Sequence, residues 1–87
     1  MKQPQGTLTV IARAPFTVYY EGKAEALSAT NKVGRFDILP GHADFFSVLS
    51  PDDIIIDPGN GADSISFPIS NGIITVRDNE VLLFVNM

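Results

Sequence analysis

The chain contains no cysteine and no tryptophan, and its one histidine is His42. Without cysteine there is neither a disulfide framework nor a thiolate metal site. One histidine leaves a zinc site short of ligands. It also gives a Ser-His-Asp triad a single possible base, His42, with Asp37 or Asp44 as its orienting acid. No Gly-x-Ser-x-Gly elbow supplies the nucleophile. Charge is sparse as well: 18% of residues are ionic and the net charge is −4. The basic residues Lys2, Arg13, Lys23, Lys32, Arg35 and Arg77 are scattered. Nucleic-acid binding needs them clustered, and so does adhesion to an anionic lipid surface, so both are excluded. The longest apolar run, Val81 to Val85, is far too short to span a bilayer or insert into lipid. Residues 1–6 lack an apolar signal core and are expected to form a flexible tail on a soluble cytosolic protein.

What the chain does have is short β-rich runs punctuated by turn residues. With 87 residues, 45% of them apolar, it reads as one small globular domain covering 1–87. Thr7 to Ala12 is a β-branched run, and Pro15 stops it. In Phe16 to Glu21, alternation places Phe16, Val18 and Tyr20 on one face, and Gly22 breaks the run. Lys23 to Thr30 has mixed propensity, but its short length and strand-like neighbours predict a strand of small residues. Asn31-Lys32 is a turn. In Val33 to Leu39, Phe36 and Ile38 face one way and Arg35 and Asp37 the other.

Pro40-Gly41-His42-Ala43 is a sharp turn, since proline fixes φ and glycine supplies positive φ. Strands follow over Asp44 to Leu49, Ile54 to Ile56, Ser64 to Phe67, Gly72 to Val76 and Val81 to Val85. The turns between them lie at Ser50 to Asp53, Asp57 to Asp63 and Arg77 to Glu80. Pro68 ends its ladder or sits on a sheet edge. Strands recurring about every ten residues predict an all-β sandwich or barrel.

Chemistry finds little purchase in this pattern. Asp52, Asp53 and Asp57 lack the spacing of a calcium loop and read as solvated turn acids. The glycines fit neither phosphate-loop pattern and read as turn formers. The aromatic residues fall chiefly at apolar strand positions and read as core. Two features stand apart. Phe45 and Phe46 are adjacent on one strand, so a two-layer sandwich buries one ring and leaves the other on the outer face. Alternation does not carry across the Pro40-Gly41 turn, so the sequence leaves open which is which. The second feature is the rigid Pro40 to Ala43 turn beside that strand, which together read as a docking surface.

The stretch Gly34-Arg35-Phe36-Asp37-Ile38-Leu39-Pro40-Gly41-His42-Ala43 resembles the signature of the N-terminal domain of the F-type ATP synthase epsilon subunit. Leu8 to Ile11 is similar to the first strand of that family, and Tyr20 to Ala24 to its glycine-containing strand junction. Ile69 to Val76 is similar to the stretch where the family has Ser-Gly-Gly before a strand, and Val81 to Phe84 fits the closing strand. The resemblance covers residues 7–86, and its Leu-Pro-Gly-His-Ala core is its most specific part.

The resemblance implies a flattened antiparallel β-sandwich of about ten strands, where the strand spacing alone predicts about eight to ten. It implies a non-catalytic subunit of the central stalk, one copy per complex, with no cofactor and no bound metal. Such a subunit lies peripherally on the cytoplasmic face of the membrane, in bacteria the inner membrane. Its partners would be the gamma subunit and the membrane rotor ring, coupling proton flow to the catalytic head. Carried over, Gly34, Arg35, Phe36, Asp37 and Ile38 would face the ring. Ala12, Pro40, Gly41, His42 and Ser47 would lie at the gamma subunit, and the docking reading of the turn and strand adds Phe45 and Phe46. Arg35, Asp37 and Asp44 depart from the family pattern, which carries an acid or polar residue, a small residue, and a proline or hydrophobe there. The family usually continues into a C-terminal helical hairpin, which these 87 residues do not include. The competing reading is a free-standing β-sandwich module that binds carbohydrate or peptide.

Overall fold

A computed structural model of the chain describes residues 6–87 and contains nine β-strands. The expected tail, apart from Gly6, lies outside the described residues. The strands are β1 (Leu8–Ala14), β2 (Thr17–Ala24), β3 (Ala26–Asn31), β4 (Gly34–Ile38), β5 (Phe45–Leu49), β6 (Asp52–Asp57), β7 (Ile65–Ile69), β8 (Gly72–Arg77) and β9 (Glu80–Val85). They form a five-stranded sheet of order β2-β1-β9-β8-β5 and a four-stranded sheet of order β4-β3-β6-β7. The sandwich is flattened, 40 × 26 × 20 Å. Its pairings are antiparallel except β1 with β9, which run parallel and place the first and last strands side by side.

Alternation builds the core. Leu8, Val10 and Ala12 of β1 meet Val81, Leu83 and Val85 of β9, while Leu27, Ala29, Ile38, Ile54 and Ile56 come from the other sheet. No polar side chain is buried among the described residues. That fits two sheets packed on an apolar interior, with the polar Asn31–Ser47 contact between them at its margin.

Several local expectations need correcting. Gly22 does not end the second strand; it lies within β2, opposite Val10. The third run divides, with Lys23-Ala24 closing β2 and Ala26 opening β3. Phe16, Val18 and Tyr20 do not share a face. A bulge lets Ala12 pair with Tyr20 while Arg13 pairs with Val18, so Tyr19 is the extra residue and the alternation changes phase there. Tyr19 stacks on Phe67 of the facing sheet, centroids 4.5 Å apart, while Phe16 is exposed. Asp52 and Asp53 belong to β6, not to a turn. Pro68, by contrast, sits on a sheet edge as expected: it lies inside β7 opposite Asp53, and β7 is an edge strand.

The sandwich closes differently along its two sides. On one side the Tyr19–Phe67 stack joins edge strands β2 and β7. On the other, edge strands β4 and β5 approach each other, and the Phe36 and Phe45 rings meet edge to face at 5.3 Å.

Candidate docking site

The stretch from β4 through the connecting corner to the start of β5 carries most of the residues the sequence singles out. Leu39-Pro40-Gly41-His42 is a type II turn, closed by the His42 N–H donating to the Leu39 carbonyl at 3.1 Å. Proline sits at its second position, and Gly41 supplies the positive φ, 86°, that the third requires. The outward Gly41 N–H donates to Asn79 Oδ1 at 2.7 Å. The His42 ring packs edge to face on Phe45 at 5.5 Å, and its Nδ1 lies 2.8 Å from the Ala43 carbonyl. His42 thus orders the corner. Among the described residues no three of His, Asp and Glu come together as a metal site.

The structure settles which ring of the β5 pair is inside. Phe45 packs against the core and Phe46 is 62% exposed. Ser47 accepts a hydrogen bond from Asn31 Nδ2 at 3.1 Å, tying β5 to the end of β3 in the other sheet. The Asn31 Oδ1 in turn accepts from the Val33 and Gly34 amides and shapes the β3–β4 turn. Asn31 therefore anchors both edge strands.

On β4 the expected alternation holds: Phe36 and Ile38 point inward, and Arg35 and Asp37 outward. Neither charge is a free solvated group. Arg35 pairs with Asp52 at 3.2 Å and also donates to Thr30 Oγ1 and the Asp53 carbonyl, each at 3.1 Å. Asp37 accepts from Ser28 Oγ at 2.5 Å. Asp52 is not a solvated turn acid. The Asp53 N–H and the Thr30 hydroxyl bond its carboxylate, each at 2.8 Å, and with Arg35 they hold it below its ordinary pKa of 3.8.

Two expected contact residues have no side-chain surface to offer. Ala12 and Ile38 are fully buried, Ala12 on the inner face of β1 and Ile38 at the end of β4. Ile38 supports the edge from beneath, and Ala12 lies under the other sheet, away from the corner.

Sequence reasoning missed the outer face of the five-stranded sheet. Phe46, Thr75, Leu82 and Ile11 form one cross-strand row, and Val48, Ile73 and Phe84 form the next. Val48 is 65%, Phe84 39% and Leu82 37% exposed. The signal was present in Val81 to Val85, apolar on both faces, because a strand solvated on one side alternates. The outer face of the four-stranded sheet carries Ser28, Thr30, Asp37 and Ser66 around a half-buried Ile55 instead. The two faces of the sandwich thus differ, one wettable and one apolar beside β5.

Comparison with known proteins converges on one family. The profile of the ATP synthase delta/epsilon chain β-sandwich domain matches residues 7–87. The ATP synthase epsilon chain of Clostridium novyi (strain NT) is 31% identical over 71 residues, which cover 79% of this chain and 52% of that protein. Among solved structures, a chain of the Euglena gracilis mitochondrial ATP synthase, a cryo-EM structure of OSCP/F1/c-ring, superposes with a TM-score of 0.86 at 16% identity. That match covers 99% of this chain and 54% of the other. A chain of the Tetrahymena thermophila mitochondrial ATP synthase central stalk and c-ring superposes with a TM-score of 0.76 at 18% identity, covering 93% and 64%. At these identities the superpositions speak to the fold, and the chain spans about half the length of the curated relative it matches. With nearly all its residues matched by the profile and the sandwich formed as that family requires, the chain belongs to the ATP synthase delta/epsilon chain β-sandwich family.

Proposed function

We propose that this domain works as a non-catalytic central-stalk element of a proton-translocating F-type ATP synthase, joining the gamma subunit to the membrane rotor ring. The observation that carries the reading is the meeting of β4 and β5, edge strands of different sheets, across the Phe36–Phe45 contact. The exposed part of β4, Gly34, Arg35 and Asp37, is the surface offered to the ring, with Phe36 behind it. The corner Pro40, Gly41 and His42, with Phe46 of β5, is the surface offered to gamma, while Ser47, on the inward side of β5, ties that strand to Asn31. Phe45 holds that surface in place from the core side. A force entering along one edge strand reaches the other through packed side chains and through the Asn31–Ser47 hydrogen bond.

The complex would hold one copy of the domain, peripheral to the membrane on its cytoplasmic face. Such a role needs no cofactor and no reactive side chain. Family membership supports it, and so does the pairing of a wettable and an apolar outer face, since a subunit seated against one partner shields one face. Size-exclusion chromatography of the purified chain with gamma and a detergent-solubilised rotor ring from the same organism tests the reading. A ternary complex with one copy of the chain is expected. Co-elution with neither component overturns the reading.

A further inference from the structure

We infer that Asn79 is a positioning residue for the partner-facing corner. It lies far from that corner in sequence, in the β8–β9 turn. This rests on the central-stalk reading for what the corner does, but the geometry stands apart from it. Asp78 and Asn79 have φ of 52° and 64°, the two consecutive positive values of a two-residue type I′ hairpin. Glycine is the residue best suited to the second of these positions. Asparagine there gives up backbone ease but carries an acceptor, and the acceptor is in use.

In a type II turn the amide of the third residue takes no part in closing the turn. Here that amide belongs to Gly41, and its partner is Asn79 Oδ1 at 2.7 Å, 38 residues away. The Asn79 carbonyl meanwhile accepts from the Thr9 N–H at 2.8 Å, fixing the hairpin tip to the first strand. The tip is therefore anchored before it grips the corner. Because the Pro40–Gly41 peptide plane helps set the path of the chain into His42, Asn79 orients His42 from outside the turn.

Two variants separate positioning from simple stability. Asn79→Gly keeps the φ values the hairpin needs and removes the acceptor, whereas Asn79→Asp keeps the acceptor. Amide hydrogen exchange followed by NMR reads the Gly41 bond directly, and binding to the gamma–ring subcomplex reads its consequence. Asn79→Gly should melt close to the wild-type temperature, since glycine's ease at a positive φ offsets the lost hydrogen bond, yet exchange the Gly41 amide about tenfold faster and bind the subcomplex about tenfold more weakly. Asn79→Asp should restore both readouts. Unchanged Gly41 exchange in Asn79→Gly overturns the inference, and so does faster exchange with undiminished binding. If the wild-type chain itself fails to bind the subcomplex, the central-stalk reading falls alone, and Gly41 exchange still decides whether Asn79 holds the corner.

Discussion

Phe36 of β4 and Phe45 of β5 meet edge to face at 5.3 Å, and this contact joins the edges of two different sheets. The His42 ring also packs edge to face on Phe45, at 5.5 Å, so Phe45 links the β4 edge to the corner. Edge-to-face aromatic contacts are directional as well as apolar. They therefore hold the two edge strands at a defined angle.

Phe45 and Phe46 should respond to truncation in opposite ways. Phe45→Ala removes that linking ring and leaves a void against the core, at a cost of about 3 kcal/mol. That is a large share of the roughly 4–13 kcal/mol expected for a domain of this size. Phe46→Ala removes an exposed ring and should change stability by less than about 0.5 kcal/mol. It should instead weaken gamma binding tenfold or more, as loss of an aromatic anchor does. Urea denaturation of both variants, paired with a binding titration, checks this. Equal destabilisation by the two would place Phe46 in the core as well.

Arg35 is already engaged within its own chain, and this changes what its replacement should do. Arg35→Glu sets a carboxylate beside Asp52 and Asp53, so a small drop in melting temperature is expected along with impaired ring assembly. Arg35→Ala removes the pair without the repulsion and should melt close to wild type, because half-exposed ion pairs contribute little. Raising salt should weaken ring association of the wild type and leave that of Arg35→Ala nearly flat. Parallel salt responses from the two proteins in a ring-binding assay would remove Arg35 from the docking edge.

Acid should loosen the same edge. The folded pKa of Asp52 is lowered, chiefly by the Asp53 amide, then by Thr30 and Arg35. Its contribution is therefore fully present above its ordinary value of 3.8 and is lost as pH falls from there through the lower folded value. Asp52→Asn cannot ionise. Its stability should fall less steeply than that of the wild type below pH 3.8, although it is somewhat lower at neutral pH. Melting curves collected in small steps from neutral pH downward through pH 3.8 compare the two slopes. Matching slopes would mean that the Asp52 carboxylate does not contribute to acid stability.

The all-β class, the number of strands and the partition of β4 into an inward and an outward side were legible because they depend on local alternation and turn chemistry. The features that were not legible depend on pairing between distant segments. The parallel β1–β9 pairing joins the two ends of the chain. The Arg35–Asp52 pair exists because β3 lies between β4 and β6, so the two side chains reach across it. The bulge at Tyr19 adds one residue and reverses the phase of the residues beyond it, and a period-two pattern read straight through it assigned Val18 and Tyr20 to one face. At the candidate site, the corner and the split of Phe45 and Phe46 onto opposite faces were visible as local features, whereas which ring is buried and the grip of Asn79 on Gly41 depend on pairing with distant segments.

Gly72 provides the last test, because its lack of a side chain is required by packing rather than by φ. It opens β8 opposite Val85 of β9, and a Cβ placed there would lie 2.8 Å from the Phe84 carbonyl oxygen and 2.9 Å from Val85 Cγ1. The valine methyl can rotate aside, but the carbonyl is part of the hairpin backbone and cannot move without disturbing the ladder. Gly72→Ala should therefore destabilise the domain by about 1–3 kcal/mol, even though alanine normally improves on glycine in a strand. The shift should spread along β9 to the Asn86 N–H, which donates to the Asn71 carbonyl at 2.9 Å. Gly34→Ala is the contrasting variant: open space surrounds its Cβ position, but its φ of 139° is strained for an L residue. Its cost should arise locally in the β3–β4 turn and leave β8 and β9 undisturbed. Chemical denaturation gives the two costs, and amide exchange at Phe84, Val85 and Asn86 separates their origins. Slow, wild-type-like exchange at all three amides in Gly72→Ala would show that the hairpin absorbs the methyl group without strain.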